Sequence, residues 1–562
     1  MVALFSLYLS YIIPQIFQLF KKRTMPDITY QKFRNETYFD FSSETHLTAQ
    51  KRALEEVRTQ FGKEYKLYID GEYVKGEKET FESRNPSNTK EVIGVFQSAS
   101  KAQAFSALDA AWKAFESWQY VPAKERADIL LKAAAIVRRR RLEINAWMIS
   151  EAGKNFAEAD ADTCEGIDFL EYYAYEALRY EDGMDVLAEN WGENNKTIYI
   201  PIGAGVSISP WNFPFAICLG MAAAPIAAGN TIVAKPAPDT AMMGYLCAEI
   251  FEEAGLPKGV FNFVTGDNIE VGENLCRHNR TRFINFTGSL KVGLHLTSIA
   301  AEERENQTFI KRIITELGGK NAVIVDDDAD LNLAAEEIVK AAFGFQGQKC
   351  SACSRVIAVE SVYDELLEKV TEKTKLLKVG DAKDNYAAGA VINQQAVDKI
   401  MSYIEIGKKE GRLMAGGKRA ETEHEGYYIE PTVIADVSPQ SRIAQEEIFG
   451  PVTAFIKAKD TDDALRIANG VKYALTGGYF SRDPKKIDKV LREFHVGNLY
   501  VNRKNTGALV GAQPFGGFNL SGTDAKAGGR EYLVFFLQAK SMTIRPYPNT
   551  EYDLNSFNYT GK

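Results

Sequence analysis

Four short runs rich in β-branched and aromatic residues recur between residues 204 and 303, each followed by a longer helix-like stretch. They are "GVSIS" (205–209) before "AICLGMAAAPIAAG", "TIVAK" (231–235) before "TAMMGYLCAEIFEEAG", "VFNFVTG" (260–266) before "IEVGENLCRHN", and "FINFT" (283–287) before "KVGLHLTSIAAEE". A strand with one face in water alternates apolar and polar side chains. Strands apolar throughout have both faces covered, the pattern of parallel strands joined by helical crossovers. A second block repeats it with "NAVIVD" (321–326), the helix 333–343, "RVIAVE" (355–360) and the helix 362–377. The blocks meet near residue 315 without a low-complexity tract or long linker, which predicts two α/β units packed around a cleft. The first is the natural candidate for a nucleotide-binding sheet.

Composition narrows the partners. The 562 residues are 45% apolar, enough for several domains with large cores. A net charge of -8 argues against nucleic acid, because phosphate-backbone binders present basic surfaces. Six cysteines (164, 218, 247, 276, 350 and 353) are thinly spread and without a repeated spacing, as expected for reduced thiols in the cytoplasm. Residues 1–20 carry no charge and precede Lys21-Lys22-Arg23. With no basic start and no small-residue cleavage site, they make a poor signal peptide. Three readings of this apolar segment (1–24) stay open: translation from Met25, a membrane anchor, or a helix packed on the body. Membrane contact is expected only if the segment belongs to the working protein.

The stretch "FGFQGQKCSACSR" (343–355) carries the chemistry. Structural zinc needs two more ligands, yet the five histidines form no cluster and there is no second C-x-x-C pair. A thioredoxin-like pair opens a helix after a strand, whereas Cys350 and Cys353 follow a predicted helix and precede a strand. One active thiol is left, with Gly344 and Gly347 allowing a sharp bend. Glu316 ends a predicted strand before Gly318-Gly319, where it can aim a carboxylate into the cleft. Asn212 lies between two prolines at a strand-to-helix turn, where its amide can be held as a rigid donor.

In order along the chain, "SPWNFPFAI", "VAKPA", "FTGS", "ELGGKN", "GQKCSACSR", "EEIFGPV" and "QPFGGFNLSG" resemble the motif set of the aldehyde dehydrogenase superfamily, from about residue 50 to about 545. "NRKNTGALVGAQPFGG" and "SGTDAKAGG" resemble the branch that oxidises glutamate γ-semialdehyde to glutamate. The resemblance implies an α/β fold with two Rossmann-like parallel-sheet domains and a β-hairpin oligomerisation arm. It implies an NAD-binding domain at 50–182 and 202–315, an arm at 183–201 and 537–548, a catalytic domain at 316–536, and a homodimer or larger homo-oligomer.

The same resemblance assigns roles. Cys350 is the nucleophile, Asn212 the oxyanion donor and Glu316 the base for thioester hydrolysis. Ser209, Lys235, Gly266, Ser289, Glu447 and Phe449 face the NAD cofactor. Glu165, Phe213, Ser351, Gly507, Ala508 and Phe515 face a small-molecule substrate whose α-carboxylate is held by backbone N–H groups of small residues. No metal is implied. Cys353 is read as a packed thiol. Without the resemblance, Lys235 reads as a solvent-facing lysine ending a strand, Glu165 as an exposed helix charge, and Cys350 as an inert buried cysteine. Many strictly NAD-dependent relatives carry an acidic residue three after the lysine, where it repels a 2′-phosphate. Here it is Pro238, which leaves NADP open. Two other identities fit parts of the sequence: a broad-specificity aldehyde dehydrogenase, and a non-catalytic homologue tethered through residues 1–24.

Overall fold

The computed structural model describes residues 33–181, 183, 192–548, 552 and 554–561. Residues 1–24, with their three readings, lie outside them, as do residues 184–191 of the expected arm.

The predicted strands pair into two sheets. In the first, Arg312–Glu316, Phe283–Thr287, Ala204–Ser209, Thr231–Pro236 and Phe261–Phe263 lie side by side in that order, all parallel. The antiparallel strands Leu67–Ile69 and Glu72–Val74 complete one edge. The chain builds outward from 204–209 through 231–236 to 261–263, then returns to the other side of 204–209 with 283–287. Strand order therefore reverses between 204–209 and 283–287, and a crevice opens beyond the carboxyl ends of strands at such a point. The helix Ala216–Ala227 that covers this sheet is apolar almost all round and buried almost throughout, which is why its sequence shows no amphipathic stripe.

The second sheet runs Arg412–Ala415, Thr432–Ala435, Val452–Ala458, Arg355–Val359, Ala322–Val325, Thr476–Phe480 and Asn498–Val501, parallel except at its first pair. Only residues 317–321 separate the last strand of the first sheet from the first strand of the second. So short a link turns the carboxyl edge of one sheet toward the amino edge of the other. That is where Glu316 leaves its strand and where the segment before Arg355 enters its own.

A separate two-stranded ribbon pairs Asn194–Pro201 with Leu537–Ile544 in antiparallel register, from Pro201↔Leu537 to Asn194↔Ile544. Residues 194–201 thus pair with the C-terminal strand. Its partly exposed, polar faces explain why neither strand has a place in the α/β layers. Among the described residues no helix is long and apolar enough to cross a membrane, and all six cysteines are free thiols.

Candidate active site

The turn that carries Cys350 is strained, and its surroundings hold it so. The helix Leu331–Phe343 starts on an Asp330 cap and ends at Gly344. Phe345 (φ 47°), Gln346 (φ 54°) and Gly347 (φ 65°) then follow in left-handed conformation. Two of them are not glycine, at about 1–3 kcal/mol each. Gln346 is pinned by its amide donating to the carbonyls of Gly153 and Ala390 (3.2 and 2.8 Å). Phe345 is buried, with the Lys154 ammonium 4.6 Å from its ring centroid. At Gly347 a Cβ would collide with the Gly450 carbonyl, so only glycine closes the turn.

Cys350 emerges half-buried from this turn. Its carbonyl accepts from the Asn321 amide at 2.8 Å, which fixes the backbone at this residue. Burial pushes the thiol well above its ordinary range, and the carboxylates of Glu316, Glu447 and Glu165 push it further; the Ser351 N–H pulls the other way. A thiol so placed rests protonated and reacts once a base takes its proton. Cys353 points elsewhere: it is 1% exposed in the core beside Val323 and Val356, and its thiol contacts the Arg355 carbonyl. The two cysteines therefore form neither a redox pair nor a metal site.

Glu316 ends the edge strand, and its carboxyl is buried, with no side-chain hydrogen-bond partner among the described residues and the Gly517 N–H beside it. Burial raises it well above the carboxylate range, opposed chiefly by Lys526. Its neighbours include Gly516, where a side chain would crowd it, and Gly522. Asn212 is 3% exposed and donates to the Gln348 carbonyl at 3.0 Å, two residues before Cys350. The neighbouring Trp211 meets Phe449 edge-to-face at 5.4 Å. Phe449 has φ 61°, and Glu447 accepts from the Gly319 N–H at 2.8 Å. Three separate motifs thus close around the thiol.

Of the expected cofactor residues, Ser209 and Ser289 flank the reversal point of the first sheet, while Lys235 and Gly266 lie at the ends of the next two strands outward. Ser209 ends the strand 204–209 and is buried beside the Cys218 thiol. Ser289 caps the helix Leu290–Ala301 by accepting from the Val292 N–H, and Gly266 follows the strand 261–263 with φ 138°. Lys235 is not the solvent-facing lysine that its sequence position suggests. It is 1% exposed, donates to Asn268 at 2.8 Å, and is lowered by burial to about 8. Gly272 gives its aliphatic stem room. An ammonium, a hydroxyl at a helix start and a half-buried carboxylate at Glu447 form a donor and acceptor set that fits a dinucleotide's ribose hydroxyls and pyrophosphate.

On the substrate side, Glu165 sits on the helix Phe156–Arg179 and is half-buried, not an exposed charge. Burial and then the nearby Asp162 raise it to about 8. Phe213 packs under Lys154, whose ammonium lies 4.0 Å from its ring centroid. The Ser351 carbonyl accepts from Asn505 at 2.8 Å. In the loop that follows, Gly507 has φ 74° and is exposed, while Ala508 and Phe515 are half-buried. The Arg503 guanidinium holds this loop by donating to the carbonyls of Thr506 and Gly507.

Sequence reasoning missed the cations that organise the site. Lys154 and Asp162 are both fully buried and pair at 2.8 Å. Asp162 also accepts from the Ala216 N–H at the start of the helix that follows the Asn212 turn. Lys349, next to Cys350, pairs with Glu158 at 2.7 Å. Asn321 and Gln348 hold the backbone on either side. Asn321, Gln348 and Lys349 stand inside recognised motifs and Lys154 outside them, but nothing in their spacing shows their partners.

Comparison with known proteins shows the family. The model of the aldehyde dehydrogenase family matches residues 73–542. A 1-pyrroline-5-carboxylate dehydrogenase of Geobacillus sp. (strain WCH70) is 53% identical over 514 residues, 91% of this chain and 99% of its own. The structure of a mutant of Thermus thermophilus 1-pyrroline-5-carboxylate dehydrogenase superposes with a TM-score of 0.91 at 51% identity, covering 92% of this chain and 100% of its own. That of 1-pyrroline-5-carboxylate dehydrogenase from Thermus with bound NAD superposes with a TM-score of 0.90 at the same identity and coverage. The chain belongs to the aldehyde dehydrogenase family.

Proposed function

We propose that this chain oxidises glutamate γ-semialdehyde, the open form of 1-pyrroline-5-carboxylate, to glutamate with NAD, in proline and arginine catabolism. One observation carries the reading: Glu316 leads into the Gly318-Gly319 turn, which lies against both the Glu447 carboxylate and the Cys350 carbonyl, in a chain that matches a relative of that name over 91% of its length. The Cys350 thiol releases its proton to solvent in the cleft and attacks the aldehyde carbon as thiolate, and the carbonyl electron pair moves to oxygen, where the Asn212 amide and the Cys350 N–H stabilise it. NAD, when bound, supplies the hydride acceptor. The thioester left on Cys350 is hydrolysed by a water that gives its proton to Glu316; the C–S bond breaks, and the departing thiolate takes that proton from Glu316, restoring both thiol and base.

Lys235, Ser209, Gly266 and Ser289 hold the dinucleotide, and Glu447 and Phe449 place its nicotinamide end. Ser351, Gly507 and Ala508 receive the α-carboxylate, Phe213 and Phe515 flank the methylenes, and Glu165 faces the amino end. Residues 50–182 and 202–315 then form the NAD-binding domain and 316–536 the catalytic domain. The ribbon 194–201 with 537–544 serves as the oligomerisation arm of a cytoplasmic homo-oligomer: a two-stranded sheet leaves strand edges for a neighbouring subunit. Pro238 in place of an acidic residue sets no carboxylate against a 2′-phosphate, so NADP is not excluded, and NAD remains the preferred coenzyme.

The test is NADH formation by purified protein with 1-pyrroline-5-carboxylate beside propanal and hexanal. The reading requires a strong preference for the pyrroline. Equal or better turnover of the simple aldehydes would replace it with a broad-specificity enzyme, and no NADH from any of the three with a non-catalytic homologue.

A further inference from the structure

A short segment ahead of the family match, residues 35–39, reaches the substrate loop from outside the common machinery. It runs antiparallel to the helix Phe156–Arg179. The Glu36 N–H donates to Asp168 at 2.7 Å and the Phe39 N–H to Asp160 at 2.8 Å. Asp160, Cys164 and Asp168 are spaced i, i+4, i+8 and form one stripe of that helix, adjoining Glu165. The contacts are built, not incidental. Arg141 grips Asp160 with two bonds (2.7 and 2.6 Å), donates to the Thr37 carbonyl at 2.9 Å, and lies 3.7 Å from the Phe39 ring centroid. Arg138 pairs with Glu36 at 2.7 Å and with Glu171 at 2.6 Å.

At the head of this strap, the Asn35 amide donates to Asp168 at 2.8 Å and to the Val510 carbonyl at 2.9 Å. Val510 comes two residues after Ala508. The next residue, Gly511, donates to the Gly528 carbonyl, and the Gly528 N–H donates to the Tyr173 hydroxyl of the same helix. The loop Gly507–Val510 is therefore tied to the Glu165 helix at two adjacent points, one of them through Asn35.

We propose that Asn35 is a positioning residue for the carboxylate end of the substrate: by bridging Asp168 to Val510 it sets the distance between the Gly507–Ala508 N–H groups and Glu165, and so selects aldehydes that carry an α-amino carboxylate. This rests on the function proposed above. An aldehyde without a head group makes no use of that spacing, whereas the semialdehyde must reach Cys350 and the loop at once. Asn35 acts through the loop and touches neither Cys350 nor the cofactor residues.

The experiment measures KM and kcat for 1-pyrroline-5-carboxylate and for propanal, with melting temperature, in the wild type, Asn35→Ala and the double variant Asn35→Asp/Asp168→Asn. In the double variant the new amide at 168 donates to the carboxylate at 35 and still accepts from Glu36, so the strap rejoins the helix while Val510 loses its donor. Asn35→Ala should raise KM for the pyrroline about tenfold, the loss of one to two net hydrogen bonds, with kcat and the propanal constants unchanged. The double variant should regain melting temperature but keep the raised KM. An equal rise for propanal, an unchanged pyrroline KM in Asn35→Ala, or a KM restored together with stability would each overturn the proposal. A wild type with no pyrroline preference would overturn the functional reading first, and the strap's role with it.

Discussion

Replacing Glu316 by Gln separates the two halves of the chemistry. The glutamine is nearly isosteric, so it fills the space against Gly516 and Gly522 that the carboxyl now fills and leaves no cavity. It keeps the backbone bridge from Glu316 to Gly522 and removes only the ability to take a proton. A positioned general base contributes about 10²–10⁴ in rate, or roughly 3–5 kcal/mol of barrier. Because Glu316 is proposed to act on the water that attacks the thioester, that loss falls on hydrolysis and not on acylation. Rapid mixing with 1-pyrroline-5-carboxylate and NAD should then give a burst of about one equivalent of NADH per active site, followed by turnover slower by about that factor. The pH profile gives an independent sign. Burial raises the Glu316 carboxyl well above its ordinary range, so the base is less ionised at low pH and wild-type turnover climbs as pH rises through its raised pKa. The variant should lose that limb. A full loss of rate with no burst would move Glu316 to the acylation step, and turnover within about threefold of the wild type would refute its role as base.

Three further predictions rest on other parts of the structure. Lys154→Met leaves the Asp162 carboxylate buried without its cation and should cost about 3–5 kcal/mol by denaturant midpoint; Lys154→Met/Asp162→Asn should recover most of it, since the amide oxygen still accepts from Ala216, and an equal loss in both would contradict the pairing. Lys235 is lowered to about 8 by burial, so its charge is full below that pH and fades above it. KM for NAD should rise as pH passes 8, and Lys235→Met should raise KM for NAD at neutral pH and flatten that rise; a parallel rise in the variant would assign the pH effect elsewhere. Ser541→Pro, in the middle of the ribbon opposite Thr197, removes ladder hydrogen bonds and should lower the assembly's mass in sedimentation velocity. An unchanged mass would take the ribbon out of the subunit contact.

Much of the fold was legible in the sequence because parallel central strands are buried on both faces. The run "FINFT" is the strand Phe283–Thr287 residue for residue, while "VFNFVTG" shortens to Phe261–Phe263, its last residues turning away toward Gly266. The turn around Cys350 was legible as a bend because Gly344 and Gly347 stand there, but not the left-handed Phe345 and Gln346 between them, which only tertiary contacts hold. Lys235 shows the limit of local reading. A lysine at a strand end is ordinarily solvated, and its burial depends on Gly272, far along the chain. The strap was invisible for the same reason: Asn35 finds its partners at Asp168 and Val510, 133 and 475 residues away, and a short polar-aromatic segment carries no periodicity to announce them. Motif resemblance supplied the site roles; the structure supplied the cations Lys154 and Lys349 that brace them.

The central claim is that a single thiol, Cys350, carries the oxidation of a carboxylate-bearing aldehyde while its neighbour Cys353 only packs the core. The most direct measurement compares NADH formation from 1-pyrroline-5-carboxylate by Cys350→Ala and Cys353→Ala, each confirmed folded by its melting curve. The account predicts no turnover in Cys350→Ala and near wild-type turnover in Cys353→Ala. Activity surviving in Cys350→Ala, or lost in a well-folded Cys353→Ala, would contradict it.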